Sequence, residues 1–177
     1  RRIGQYPNLS LAIHAIGDQA AHLIVSTIHK LHSDGRKIPP IHLEHLEIVK
    51  PETIDLIKGL PITCNMQPIH YRGDIQWLGE KLSGGLMQEI FPWGKLEQSG
   101  APLYFGSDAP IERSSIIESY KAYQDSHFNG VPPVEQDFFH YHSHPDKEWV
   151  PNCYSVVDLD ESDSTIKEVW FDGEPVV

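Results

Sequence analysis

The stretch SLAIHAIGDQAAHLIVSTIHKLHSDG at residues 10–35 decides the fold. It opens with a short apolar run at 10–15, which predicts a buried strand, and it turns at Gly17. Asp18 is expected to cap a helix or to orient a metal ligand, because its carboxylate accepts hydrogen bonds. Apolar residues then recur at steps of three and four and predict one helical face that covers a sheet, at Ala21, Ile24, Val25, Ile28 and Leu31. The stretch is therefore one strand-helix unit, which Gly35 ends.

The next part of the chain repeats this plan. PPIHLEHLEI at 39–48 predicts a second buried strand, and Pro51 marks the start of a second helix. LPITCNM at 60–66 predicts a third strand, which Gln67 and Pro68 stop. The polar stretch 69–85 is expected to form a long loop at the rim of the sheet.

The remaining sequence predicts a fourth strand and a small unit of a different kind. Apolar residues have helical spacing before and after that fourth strand. In the last stretch apolar and polar residues alternate, and the stretch contains the turn pair Asp172-Gly173. In chain order we expect a helix at 86–99, the fourth strand at 101–106, a helix at 114–123, irregular structure at 129–151 and an antiparallel unit from 153–158 and 166–177.

Three side chains that can bind a metal stand where predicted strands end. His14 and His45 are about one strand-helix unit apart, and Asp108 follows about two units later. Because successive strands of a parallel barrel end at one rim, we expect the three to converge there. Two neutral imidazoles and a carboxylate suit a catalytic zinc ion that keeps a position open for water. The pattern therefore predicts a hydrolytic metal site.

The number of units sets the architecture. Four strand-helix units make half of a (β/α)8 TIM-type barrel, since a complete barrel takes roughly 250 residues. An open half-barrel would expose two sheet edges. We therefore expect either a homo-oligomer in which the edges pair, or a chain that is completed by a missing N-terminal half.

Composition excludes several classes of partner. The formal charge of -11 and the absence of a lysine or arginine run argue against nucleic acid. The apolar runs are short and the N-terminus has no signal-peptide stretch, so we expect no membrane segment and a cytoplasmic protein. Cys64 and Cys153 are isolated and are expected to be reduced and structural.

Four motifs in sequence resemble one family of hydrolases. They are LAIHAIGDQAA at 11–21, HLEHLEIVKPE at 42–52, NMQPIH at 65–70 and FGSDAPIE at 105–112. Their order resembles the amidohydrolase superfamily, and within it amidohydrolase family 3, the YtcJ-like enzymes related to N-substituted formamide deformylases. The resemblance covers about residues 9–112.

The resemblance implies the C-terminal half of an elliptical barrel at 1–150 and a segment of an accompanying β-sandwich at 151–177. It makes His14 and His45 the metal ligands of the fifth and sixth barrel strands. Asp108 becomes the carboxylate ligand of the eighth strand and the general base. The implied cofactor is a divalent metal, with zinc favoured, as one or two ions. The family also has an HxH pair and a bridging carboxylate or carboxylated lysine, and neither lies ahead of His14 in this sequence.

The implied activity is hydrolysis of carbon-nitrogen bonds other than peptide bonds. A metal-activated water would attack the carbonyl of a small amide-like substrate. Gln67 and His70 are candidate substrate contacts, with a surface-loop position as the alternative. Glu44 is expected to point away from His45 and to hydrogen-bond within the barrel wall.

Two other functions stay open. One is a truncated, noncatalytic half-barrel that acts in oligomeric assembly. The other is a zinc-binding module that uses His140, His142 and His144 in FHYHSHPD, because alternate residues of an extended segment project to one side.

Overall fold

A parallel sheet of four strands forms the centre of the chain. The computed structural model describes residues 9–126, 138, 154–158, 165–171 and 173–176. The sheet has the order β1 (Leu11–Ala15), β2 (Ile41–His45), β3 (Ile62–Met66) and β4 (Leu103–Phe105). All four strands are parallel, and each lies beside the next strand along the chain. The predicted strands at 10–15, 39–48, 60–66 and 101–106 are therefore confirmed, as is the α/β class.

Helices connect the parallel strands. They are α1 (Asp18–Ser33), α2 (Pro51–Ile57), α3 (Pro68–Lys81), a 3₁₀ helix (Gly84–Gln88), α4 (Trp93–Gln98) and α5 (Ile116–Asp125). Helix α1 ends at Ser33, and the predicted terminator Gly35 follows the C-cap residue with a φ of 70°. The Gly35 N–H donates to the carbonyl of His32, and the Arg36 N–H donates to that of Leu31. These paired bonds satisfy the last carbonyls of the helix, and glycine suits the left-handed position between them.

The core lies between the helices and one face of the sheet. Burial alternates along β2 and β3, with Ile41, Leu43 and His45 buried and the residues between them half-buried. Helix α1 buries Ala21, Val25 and Ile28, so most of the predicted apolar face is confirmed. The opposite face of the sheet is more open, and Ala12 and His14 of β1 are exposed there.

The prediction of a rim loop at 69–85 is wrong, because most of this stretch is helix α3. Pro68 occupies the first turn, where its missing N–H costs nothing. The helix buries Ile69, Tyr71 and Leu78 and packs against α5. Its apolar residues do not follow one regular stripe, which is why spacing alone did not reveal it.

The helix predicted at 86–99 is divided into two. The 3₁₀ helix at its start and α4 at its end flank Ile90, which forms an isolated bridge with Ile48. Pro92 has no N–H to continue a helix. The backbone N–H of Phe91 instead donates to the carbonyl of Glu47 at 2.6 Å.

Asp18 does not cap helix α1, so the first of its two predicted roles is wrong. Gly17 holds the N-cap position, and no side chain caps this end. The Asp18 carboxylate lies 2.9 Å from the Lys50 ammonium. That hydrogen bond lowers the pKa of Asp18. The acidic side chain still lies in the first turn, where the helix dipole favours negative charge.

A small antiparallel sheet closes the described part of the chain. It has the order β5 (Tyr154–Asp158), β6 (Thr165–Phe171) and β7 (Glu174–Pro175). Gly173, with a φ of 81°, connects β6 to β7, in agreement with the predicted turn. Asp172, Cys153 and nearly all of 129–151 lie outside the described residues. Cys64 is a buried free thiol, and its burial raises its pKa to about 12.

Within the part of the chain that the structure describes, no helix combines the length and the apolar character needed to cross a membrane.

Candidate functional site

Two predicted ligands meet at the carboxyl ends of neighbouring strands. His14 lies near the end of β1 and His45 at the end of β2, where Ala15 and His45 are register partners. Nδ1 of His14 lies 2.8 Å from Nε2 of His45. One of the two nitrogens carries a proton and donates it in a hydrogen bond to the other nitrogen. If neither nitrogen carries a proton, the lone pairs of both nitrogens point into the same space. The structure therefore brings these two histidines together as the sequence predicted.

An unusual backbone turn places His45. His45 has a φ of 77° and Leu46 has a φ of 49°, so two successive residues other than glycine are left-handed. Such conformations cost about 1–2 kcal/mol per residue and tend to persist at functional sites. The Leu46 N–H donates to the Ala15 carbonyl and the Ile48 N–H to that of Ile16. These bonds hold the turn against the end of β1.

A buried acid and a third histidine lie beside His45. Glu47 follows the turn, and His70 lies in the first turn of α3. Nδ1 of His70 donates to Oε1 of Glu47 at 3.1 Å. The rings of His45 and His70 stack, with centroids 5.7 Å apart and planes 16° apart. His45, Glu47 and His70 are only 4%, 5% and 9% exposed.

Charge in this region is arranged around His70. Its pKa is raised, chiefly because Glu47 accepts its hydrogen bond, and burial opposes the shift only in part. The negative charges of Asp74 and Asp108 add to the increase. The pKa of Asp74 is also raised, mainly because burial disfavours its carboxylate form. The site is therefore an acidic environment that favours cations.

Asp108 stands just beyond β4. It is half-buried and has a φ of 55°, which aspartate tolerates better than most residues. Its backbone carbonyl accepts a hydrogen bond from the Ile111 N–H at 2.9 Å. Among the described residues, its carboxylate forms no hydrogen bond with His14 or His45. The structure thus brings Asp108 within electrostatic reach of His70 but not into contact with the histidine pair.

The family follows from a sequence match that covers most of the chain. The model of amidohydrolase family 3, described as "Amidohydrolase family", matches residues 3–124. The chain belongs to amidohydrolase family 3. All the helices and strands that build the site lie within the matched region or border it.

Two curated proteins are similar to this chain. One is named as an amidohydrolase, YtcJ, from Bacillus subtilis (strain 168), and is 32% identical over 105 residues, which are 59% of this chain and 19% of that protein. The other is the protein LONG AFTER FAR-RED 3 of Arabidopsis thaliana, 30% identical over 115 residues, which are 64% of this chain and 20% of that protein. The chain spans about a fifth of the length of these relatives.

Two solved structures share the fold. Both are described as uncharacterized metal-dependent hydrolases. That from Pyrococcus horikoshii OT3 has a TM-score of 0.63 and 22% identity, over 76% of this chain and 28% of its own. That from Pyrococcus furiosus has a TM-score of 0.65 and 21% identity, over 76% of this chain and 27% of its own. At this identity the likeness is one of fold.

Gln67 and His70 are buried, so the surface-loop alternative is wrong. Gln67 holds the N-cap position of α3 and is 5% exposed. Its Oε1 atom and Nε2 of His70 are buried, and neither has a hydrogen-bond partner in the described part of the chain. Both side chains therefore offer polar atoms that a bound molecule could satisfy, and substrate contact stays a prediction for them.

The predicted role of Glu44 agrees with the structure. Its Oε1 accepts a hydrogen bond from Nδ2 of Asn65 at 2.8 Å, and the two residues are register partners in β2 and β3. Glu44 therefore forms part of the sheet wall.

Sequence reasoning missed Glu47. A signal for it was present in HLEHLE, because His45 and Glu47 are two positions apart and would share one side of an extended strand. His140, His142 and His144, the residues of the alternative zinc site, lie outside the described residues.

Proposed function

We propose that this chain is part of a metal-dependent amidohydrolase that hydrolyses carbon-nitrogen bonds, other than peptide bonds, in small amide-like molecules. His14, His45 and Asp108 would hold a divalent metal, with zinc favoured, and Asp108 would also act as the general base. The observation that carries the proposal is the 2.8 Å approach of the His14 and His45 rings at the end of the parallel sheet.

The donor set fits such an ion. Imidazole nitrogens and a carboxylate are ligands that zinc accepts in catalytic sites. Nε2 of His45 is the nitrogen that faces Nδ1 of His14, so these two nitrogens would bind the ion. A divalent ion held by His14, His45 and Asp108 would supply Lewis acidity, which polarises a carbonyl and lowers the pKa of water.

The chain's own side chains supply the remaining steps. The Asp108 carboxylate would accept a proton from the attacking water and return it to the leaving nitrogen. The unpartnered atoms of Gln67 and His70 would orient the substrate by hydrogen bonds. Burial of these groups excludes water from the reacting carbonyl.

We propose a half-barrel architecture for the chain as well. Residues 1–150 would form the C-terminal part of a (β/α)8 barrel, and residues 151–177 a segment of the β-sandwich. The open face of the four-stranded sheet, on which Ala12 and His14 are exposed, supports this arrangement. The covering partner would be a missing N-terminal half or another copy, and the location would be cytoplasmic.

Metal content tests the proposed function. Elemental analysis after extensive dialysis would compare the wild type with the double variant His14→Ala plus Asp108→Ala. We expect nearly one metal ion or more per wild-type chain and a loss of metal in the double variant. A matched control, His29→Ala plus Asp55→Ala, changes exposed residues of α1 and α2 and is expected to keep the metal.

Three results would contradict the proposal. A metal-free wild type would exclude a competent site in this chain. Metal that resists the double substitution would exclude the proposed ligands. Metal that is lost only when His140, His142 and His144 are replaced would favour the alternative zinc-binding module.

A further inference from the structure

His45, Glu47 and His70 form a compact group of potential ligands. One ligand atom from each side chain lies within 4.8 Å of the other two. We propose that this group is a metal-binding position, with Glu47 and His70 as ligands beyond the set of His14, His45 and Asp108. The inference rests on the proposed function only in that His45 belongs to both sets.

Burial gives the first argument. All three side chains are buried, and a buried polar or charged group is stable only when it is paired or coordinates a metal. The hydrogen bond between Glu47 and His70 satisfies one atom of each. Nδ1 of His45 and Nε2 of His70 have no hydrogen-bond partner in the described part of the chain. An ion that His45 binds through Nδ1 would satisfy that buried nitrogen.

The chemistry of the donors gives the second argument. Two histidines and a glutamate form a set that catalytic zinc sites use, and such a set leaves a coordination position open. Magnesium and calcium prefer oxygen ligands, so imidazole nitrogens favour zinc and its first-row neighbours. The ligand atoms around a tetrahedral zinc ion lie about 3.4 Å apart. Rotation of the side chains that brings the three ligand atoms about an ångström closer together would therefore allow them to bind one ion.

The backbone holds the group from two sides. On one side, the left-handed turn at His45 and Leu46 leads directly into Glu47, whose carbonyl accepts the Phe91 N–H at 2.6 Å. On the other side, the His70 N–H donates to the Gln67 carbonyl at 3.1 Å in the first turn of α3. Ligands fixed by rigid elements lose little entropy when an ion binds.

A purely structural pair is the competing explanation. In that case Glu47 only orients His70 through their hydrogen bond, and no ion enters the group. The two explanations differ in one measurable quantity, the loss of affinity for a divalent ion when Glu47 or His70 is replaced.

Cobalt titration measures that affinity. Co²⁺ would be added to the metal-free 177-residue chain, and binding followed by visible absorption and by calorimetry. We expect Glu47→Gln and His70→Gln each to weaken Co²⁺ binding at least about tenfold, the lower end of the effect of losing a group around a metal. The controls are Glu52→Gln and His32→Ala, which change exposed residues and should bind as the wild type does.

Folding is checked separately, because the replaced side chains are buried. Near-ultraviolet circular dichroism of the metal-free variants should match that of the wild type. For a variant whose spectrum differs, a Co²⁺ absorption band of wild-type shape and intensity still overturns the inference. A changed or absent band supports the inference only when the other variant folds like the wild type and shows the same change.

The outcomes separate the inference from the proposed function. Wild-type affinity in Glu47→Gln and His70→Gln, with binding lost in His14→Ala plus Asp108→Ala, would overturn the inference alone. The reverse pattern would support the inference and overturn the proposed ligand set. A wild type that binds no Co²⁺ would overturn both.

Discussion

Asp108 combines a functional side chain with a backbone conformation that few residues tolerate. Its φ of 55° is left-handed, like the φ values of His45 and Leu46 at the end of β2. A side chain at such a position is retained when it serves a purpose that offsets the strain. Substitutions at Asp108 can therefore separate the conformational requirement from the chemical one.

We expect Asp108→Gly to change the free energy of unfolding by no more than about 0.5 kcal/mol, the range of surface substitutions. Asp108→Val is expected to destabilise by about 1–2 kcal/mol, because a β-branched side chain is strained in the left-handed region. Urea unfolding of the metal-free variants measures both values. Equal stability of the two variants would contradict the left-handed conformation of residue 108. Both variants should also lose metal, because both lack the carboxylate.

Asp74 provides a prediction about pH. Its pKa is raised in the folded state, so the folded chain holds this proton more tightly than the unfolded chain does. The stabilising contribution is complete below the unfolded pKa of about 3.9 and is lost as the pH rises through the folded pKa. We expect Asp74→Asn to be more stable than the wild type at pH 7, with the difference shrinking toward pH 4.

Urea unfolding between pH 4 and pH 8 tests the Asp74 prediction. The amide oxygen of asparagine can still accept the hydrogen bond that Nε1 of Trp77 donates at 2.8 Å, so the substitution removes mainly the charge. Asp55→Asn changes an exposed aspartate of α2 and is the matched control in the same experiment. A stability difference that stays constant with pH would contradict the raised pKa of Asp74.

The sequence predicted individual ligands better than their surroundings. His14 and His45 were predicted from their places in two apolar runs, and the structure brings them together at 2.8 Å. Glu47 was missed because its approach to His70 depends on the left-handed turn after β2, and no glycine marks that turn in HLEHLE. Backbone conformations that residue types disfavour leave little trace in a sequence.

At the scale of elements, regular spacing was the reliable signal. Helix α1 has one apolar face and was predicted to its final glycine. Helix α3 was predicted as a loop, because its buried residues include a proline and a histidine, and its apolar positions follow no single stripe. Tertiary packing against α5 stabilises this helix more than its own pattern does.

The stability of helix α5 depends on the residue that caps its N-terminus. Ser115 holds the N-cap position, and its hydroxyl accepts a hydrogen bond from the Glu118 N–H at 3.3 Å. We expect Ser115→Ala to lower the free energy of unfolding by about 0.5–2 kcal/mol, the usual value of such a cap. Ser114→Ala changes the exposed neighbour and should have little effect in the same urea unfolding experiment. Equal effects of the two substitutions would show that the cap contributes nothing.

At the scale of the whole molecule, the parallel sheet has an outer strand, β1, with an exposed alanine on its open face. Outer strands of this kind pair with other chains unless something covers or charges them. The sequence predicted this property from the number of strand-helix units. The sequence did not decide what covers the open face. Four strand-helix units are compatible both with another copy of the chain and with a missing N-terminal half.

We expect the wild-type chain to associate with itself as its concentration rises, which light scattering coupled to gel filtration would detect as a mass above 20.1 kDa. Ala12→Lys should shift the chain toward the monomer, since an inward-pointing charge on an outer strand opposes pairing. Leu23→Lys, on the exposed surface of α1, is the control and should leave the association unchanged. A monomeric wild type at every concentration would contradict pairing between copies and favour the missing N-terminal half.

Leu46 limits which sequences can carry this site. It is completely buried, so a hydrophobic side chain is required, and its φ of 49° also requires an unbranched Cβ. Isoleucine and leucine are usually interchangeable in a core at a cost below about 1.5 kcal/mol. Here they are not, because the backbone shape selects between two residues that hydrophobicity treats as equal. A redesign of this core by volume and polarity alone would therefore displace the turn on which the position of His45 depends.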